Sequence, residues 1–183
     1  MNHMMIDVEA LRLKQPWLAP LMSLGLVVFD SRGVVMFTEE IYVDSESWPD
    51  HMQAEQGTVD FWKGQEYYPT LLKLMAEKGQ SVLDVLNRIR TIYIQWRVGP
   101  VWFAGPTYDQ VMLEAYYHGF NQEAPWGFNK SRDFRTIRCQ HPEIYQEMST
   151  GREGLHEALE DSLFQVSVLR AIVDADPAHS GWN

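Results

Sequence analysis

The N-terminal part of the chain alternates short apolar runs with turn residues, whereas most of the remainder places apolar residues at helical spacing. Met4–Ala10, MMIDVEA, reads as a first strand. Successive side chains of a strand point to opposite faces, so Asp7 and Glu9 stand side by side while Ile6 and Val8 point into the packing. Leu11–Pro20 is a connection broken by Pro16 and Pro20. Met22–Phe29 is almost continuously apolar, the pattern of a strand covered on both faces, and is expected at the centre of a sheet. Asp30–Gly33 makes a turn and Val34–Val43 returns as a third strand, so the sheet is expected to begin as an antiparallel meander.

Beyond this meander, Asp44–Gly57 is polar and irregular, and Thr58 opens a short helical segment carrying Phe61 and Trp62. Val82–Gln95 has apolar residues at 82, 85, 86, 89, 92 and 93, a helical period. Val101–Ala104 is a short buried strand between Gly/Pro pairs. Thr107 and Gln110 have capping-box spacing, which predicts a helix over roughly Tyr108–His118 that ends at Gly119. Residues 120–130 read as a loop, Ser131–Gln140 as a short helix, and Gly151–Gly154 as a flexible link. The last helix runs from about His156 to Val173 and buries Leu159, Leu163, Val166, Leu169 and Val173. The expectation is one α/β domain over residues 1–175, a mixed central sheet flanked by helices, followed by a flexible tail at 176–183.

Composition narrows the class. The chain has 183 residues, enough for one domain with a sizeable core. A single cysteine, Cys139, cannot form an internal disulfide, which fits a reducing, cytoplasmic setting. No leader pattern opens the chain, and the most apolar run, Leu18–Phe29, is interrupted and too short to cross a membrane. The formal charge of −10 argues against a protein that grips long duplexes by their phosphates. It leaves room for an enzyme whose carboxylates hold metal at a strand end.

Two carboxylates on one face of a buried strand repel each other and lose hydration, so a cation is needed to compensate them. Hard divalent ions bind such oxygens. A solvent-facing edge strand would explain a lone Asp-x-Glu equally well. Asp109 lies in the first turn of its predicted helix, where the helix N-terminus favours the charged form, as a ligand or as a plain helix stabiliser. At the mouth of the last helix, His156 precedes Asp161 by five residues. A neutral imidazole there can accept a proton from water, or can be an exposed surface group.

Taken in order, Asp7-x-Glu9, Asp109 and His156-x4-Asp161 resemble the DEDDh-type 3′–5′ exonucleases, whose fold is RNase H-like. Further text, TVDFW at 58–62, GPTYD at 105–109 and RDFRT at 132–136, is similar to the small mycobacterial-type exoribonuclease-like proteins and to phage exonuclease A. The resemblance covers about Met4 to Ile172. It implies a metal-dependent 3′–5′ exonuclease acting on the 3′ end of single-stranded nucleic acid, RNA favoured, and releasing nucleoside monophosphates. Asp7, Glu9, Asp109 and Asp161 would hold two Mg²⁺ or Mn²⁺ ions roughly 3.5–4 Å apart, with His156 as general base. It also suggests substrate contacts at Ala10, Leu11, Trp62 and Tyr108; the sequence leaves the oligomeric state open, a homo-oligomer among the options. For a phage protein the setting would be the host cytoplasm. Trp62 either stacks on the terminal base or fills the core. Ala10 stands where many relatives have threonine, and Phe61-Trp62 where they have two tryptophans. Lys130, Arg132, Arg135 and Arg138 form a basic cluster that either meets phosphate or pairs with neighbouring acids, and the second role is expected of Arg135. A DNA exonuclease and a catalytically silent strand-binding module are the alternatives.

Overall fold

In a computed structural model the described residues are 1–152 and 156–176. They form β1 (Asn2–Ala10), β2 (Leu21–Asp30), β3 (Val35–Tyr42), α1 (Gln56–Lys63), α2 (Tyr68–Lys78), α3 (Val82–Gln95) and β4 (Val98–Phe103). There follow α4 (Asp109–Gly119), β5 (Ser131–Asp133), α5 (Phe134–Gln140), α6 (Pro142–Ser149) and α7 (Ala158–Ala175). The sheet order is β3-β2-β1-β4-β5, antiparallel through the first three strands and parallel where β4 meets β1 and β5. This is the expected mixed α/β sheet with its opening meander. The middle strand is β1 and not β2, which removes the solvent-edge explanation of Asp7 and Glu9.

The alternation of β1 divides the core. Met4, Ile6, Val8 and Ala10 join the cluster containing α3 and α4 residues Leu86, Ile89, Leu113 and Tyr117. Met5 lies in the opposite cluster with Val27, Phe29, Trp102 and the α7 residues Val166, Leu169 and Ile172. Helix α7 therefore covers the face that also carries Asp7 and Glu9. Its approach depends on Gly25 of β2, which pairs in register with Asp7. A Cβ at position 25 would lie 2.2 Å from the Ala158 carbonyl oxygen, and Ser162 Oγ donates to the Gly25 carbonyl at 3.1 Å. The start of α7 is thus seated directly on the middle of the sheet.

Several elements differ from the sequence reading. Helix α2 buries only Leu71 and Met75, too sparse an apolar face to stand out in the sequence. Ser131–Asp133 is a parallel edge strand and only Phe134–Gln140 is helical, with α6 following it. No Thr107 cap forms. Helix α4 begins at Asp109 after Tyr108, and the Asp109 carboxylate turns back to accept the Gly105 N–H. Helix α7 begins at Ala158, so His156 precedes it with a left-handed φ of 49°. Parts of the predicted link and tail, 153–155 and 177–183, lie outside the described residues. Among the described residues, no helix is long and apolar enough to cross a membrane.

Candidate active site

Four separate segments converge where β1 and β4 end. Strand β1 presents Asp7 and Glu9, the start of α4 presents Asp109, the approach to α7 presents His156, and its first turn presents Asp161. All five line one cavity of about 470 Å³. Asp7 Oδ1 accepts from Gln165 Nε2 at 2.8 Å, and Gln165 lies one turn beyond Asp161 on α7. Asp109 Oδ2 accepts from the Gly105 N–H at 3.1 Å. Asp161 accepts from Arg152 Nη2 at 2.5 Å. One donor atom each of Glu9, His156 and Asp161 lies within 4.8 Å of the other two, close enough to share a cation.

Glu9 and Asp109 are 9% and 5% exposed, so their charges have lost most of their hydration. Burial first, and then the Asp109 charge, push the Asp7 carboxyl well above its ordinary range, against the Gln165 hydrogen bond. Glu9 is pushed the same way by burial and then by Asp7, Asp161 and Asp109. Asp109 is pushed up to about 7 by burial, while the Gly105 N–H and the Arg135 guanidinium oppose the shift. The oxygens are hard donors and their mutual repulsion needs positive charge, so the residues present fit divalent cations.

The 3′–5′ exoribonuclease Rv2179c-like domain model matches residues 2–173. The chain belongs to that family. No curated protein matches the sequence. Among solved structures, this Rv2179c-like domain is similar in fold to the metal-free E. coli ExoI–ssDNA complex, with a TM-score of 0.72 at 12% identity, covering 99% of this chain and 41% of that one. The zinc-bound form of the E. coli ExoI–ssDNA complex matches with a TM-score of 0.73 at 11% identity over 99% of this chain and 42% of that one. The chain thus spans about two fifths of the ExoI chains. The nuclease domain of 3′hExo, a DEDDh family member bound to rAMP, matches at 0.66 with 13% identity, covering 96% of this chain and 92% of that one. The architecture is the RNase H-like DEDDh exonuclease fold.

Of the remaining positions expected at the site of this Rv2179c-like domain, Ala10, Trp62 and Tyr108 line the cavity. Trp62 is only 2% exposed; its indole N–H donates to the Ala10 carbonyl at 3.1 Å and its ring packs with Met22, Leu71 and Met75. Core filling accounts for it, and the aromatic face left open is that of Phe61, 45% exposed and edge-on to His156 at 5.0 Å. Leu11 does not line the cavity: it packs toward the Trp62 cluster, its N–H donating to Pro20 and its carbonyl accepting from Glu55. Leu13, 68% exposed, lines the mouth instead. Tyr108 donates its hydroxyl to the Arg12 carbonyl, and burial followed by the Asp109 charge raises its pKa.

Sequence reasoning also missed Gln165 and left Arg135 out of the site. Asp133 caps α5 through the Arg135 N–H and the Thr136 hydroxyl, whereas the Arg135 guanidinium lies against Gly105 and faces the acids of the cavity. An i+4 relation between Asp161 and Gln165 on one helix face was the available signal for Gln165.

Proposed function

We propose that the chain removes nucleoside monophosphates one at a time from the 3′ end of single-stranded nucleic acid, with RNA the favoured strand. The observation that carries this reading is the convergence of Asp7, Glu9, Asp109, His156 and Asp161 on one cavity of about 470 Å³. The family's description as exoribonuclease supports RNA. Asp7, Glu9, Asp109 and Asp161 would hold two divalent ions, Mg²⁺ or Mn²⁺. Bound there, the ions supply charge that activates the attacking water and offsets charge building on the departing 3′ oxygen.

The chain's own groups do the rest. Gln165 fixes one oxygen of Asp7 and the Gly105 N–H fixes one oxygen of Asp109, so both carboxylates keep their remaining lone pairs toward the cavity. His156 accepts the proton of the attacking water through an imidazole nitrogen. Its ring packs edge-on against Phe61, and one imidazole nitrogen lies within 4.8 Å of an oxygen of Glu9 and of Asp161. Phe61 and Leu13 present apolar surface at the mouth to the terminal nucleotide.

Proximity of His156 to Glu9 and Asp161 also suits a ligand role, and one variant separates the two. His156→Ala is expected to lower turnover by roughly 10²–10⁴-fold while Mn²⁺ affinity survives, because proton transfer and not coordination is lost. Weakened Mn²⁺ binding with rescue by excess metal would make His156 a ligand. Unchanged turnover would remove it from the chemistry.

A further inference from the structure

Behind Asp161 lies a second cavity, of about 280 Å³, that the reaction outlined above does not use. Arg135, Arg138 and Arg152 line it, and Asp161 is the one carboxylate among its lining residues. Three guanidinium groups around one acid are conspicuous in a chain of formal charge −10. The cavity shares Ala104, Arg135 and Asp161 with the carboxylate pocket, so the two spaces adjoin at these side chains.

Two of the three guanidinium groups, those of Arg138 and Arg152, lie over aromatic rings. The Arg138 guanidinium carbon lies 4.4 Å from the Tyr145 ring centroid and 5.9 Å from that of Phe134. That of Arg152 lies 4.0 Å from the Phe164 centroid. A guanidinium over an aromatic face keeps its N–H donors available, and a fork of such donors can match two oxygens of one phosphate. Among the described residues no hydrogen bond or ion pair is made by the guanidinium of Arg135 or Arg138, and that of Arg152 bonds Asp161 and the Glu160 carbonyl. The site therefore carries more positive than negative side chains, and most of its guanidinium donors are unspent.

We propose that this arginine cavity is a phosphate subsite, distinct from the carboxylate pocket, which takes a backbone phosphate of the strand whose 3′ end lies among the acids. This rests on the exonuclease reading. Hydrogen bonds from Arg138 and Arg152 to phosphate oxygens hold the strand while its terminal linkage is cut. Arg152 then divides its donors between that phosphate and Asp161, which mechanically joins the subsite to the catalytic wall. Free phosphate offers the same chemistry, and the test distinguishes the two sources.

The full chain in chelator is titrated with a 5′-fluorescein RNA hexamer at several salt concentrations, as wild type, Arg138→Gln and Arg138→Lys. Arg138→Gln is expected to weaken binding about tenfold, the loss of a charge-assisted hydrogen bond. The slope of log affinity against log salt should fall in size by about 0.7, one phosphate contact on a single strand. Arg138→Lys should keep the wild-type slope. In parallel, the Nε–H resonance of Arg138 in the wild type should shift and saturate with the unlabelled hexamer at concentrations where inorganic phosphate leaves it in place. That measurement stands even if Arg138→Gln does not fold. Hexamer binding that Arg138→Gln leaves untouched, or a resonance that saturates with phosphate but ignores the hexamer, overturns the subsite alone. A wild type that binds no hexamer either in chelator or with Ca²⁺ supplied in its place overturns the exonuclease reading with it.

Discussion

Asp109→Asn should make the chelated protein more stable, and more so as the pH rises. Burial pushes Asp109 from 3.8 in the unfolded chain up to about 7 in the folded one. At low pH both states hold the proton and the carboxylate costs nothing. As the pH passes 3.8 the unfolded chain ionises first, and stability falls until the folded group also ionises near 7. Three units at about 1.36 kcal/mol each put the full cost at about 4 kcal/mol, of which roughly 3 develops between pH 5 and pH 8. An amide removes the titration yet still offers an oxygen to the Gly105 N–H. The stability advantage of Asp109→Asn should therefore grow by about 3 kcal/mol from pH 5 to pH 8, or about 6–12 °C in Tm for a domain of this size. Thermal and urea unfolding of both proteins in chelator at the two pH values measures it. An advantage that does not change with pH, or a variant less stable than wild type at pH 8, would refute the claim that burial outweighs the Gly105 N–H and the Arg135 charge at this carboxylate.

Metal should reverse the same penalty. Millimolar Mn²⁺ at pH 8 is expected to raise the wild-type Tm by several degrees, since ions bound only by the folded state stabilise it by mass action, and a Tm indifferent to Mn²⁺ would contradict the cation fit. Gly25→Ala should cost about 1–3 kcal/mol by overpacking β2 against the start of α7, and should lower turnover through the displacement of Asp161 and His156. Urea unfolding and an activity assay check the pair; full activity with unchanged stability would show that this close approach does not position the site.

The carboxylates were legible because each sits in a strong local pattern. Asp7 and Glu9 share a face by strand alternation, Asp109 follows a Gly/Pro-bounded strand, and Asp161 rides a helix of clear period. What failed to show was whatever depends on a partner distant in sequence. Strand β5 is three polar residues whose only reason to be extended is the backbone of β4. Helix α2 offers two buried side chains to a cluster built by β2, β3 and α1. The Thr107–Gln110 spacing lost to the Asp109 carboxylate, which takes the Gly105 N–H and starts the helix two residues after Thr107. Trp62 was ambiguous for the same reason: the Ala10 carbonyl brought from β1 and the packing of Met22, Leu71 and Met75 bury Trp62 and leave Phe61 the more exposed of the pair.

The most direct test of the central claim is a time course on a 5′-labelled single-stranded RNA with Mn²⁺, set beside a chelator control, a DNA strand of the same sequence and the Asp161→Asn variant. Removal of nucleotides from the 3′ end predicts a ladder of labelled products shortening one nucleotide at a time, faster on RNA than on DNA. The ladder should be absent with chelator and with Asp161→Asn. Release of the labelled end first, cleavage that persists in chelator, or a full-length strand that survives in Mn²⁺ would contradict the account.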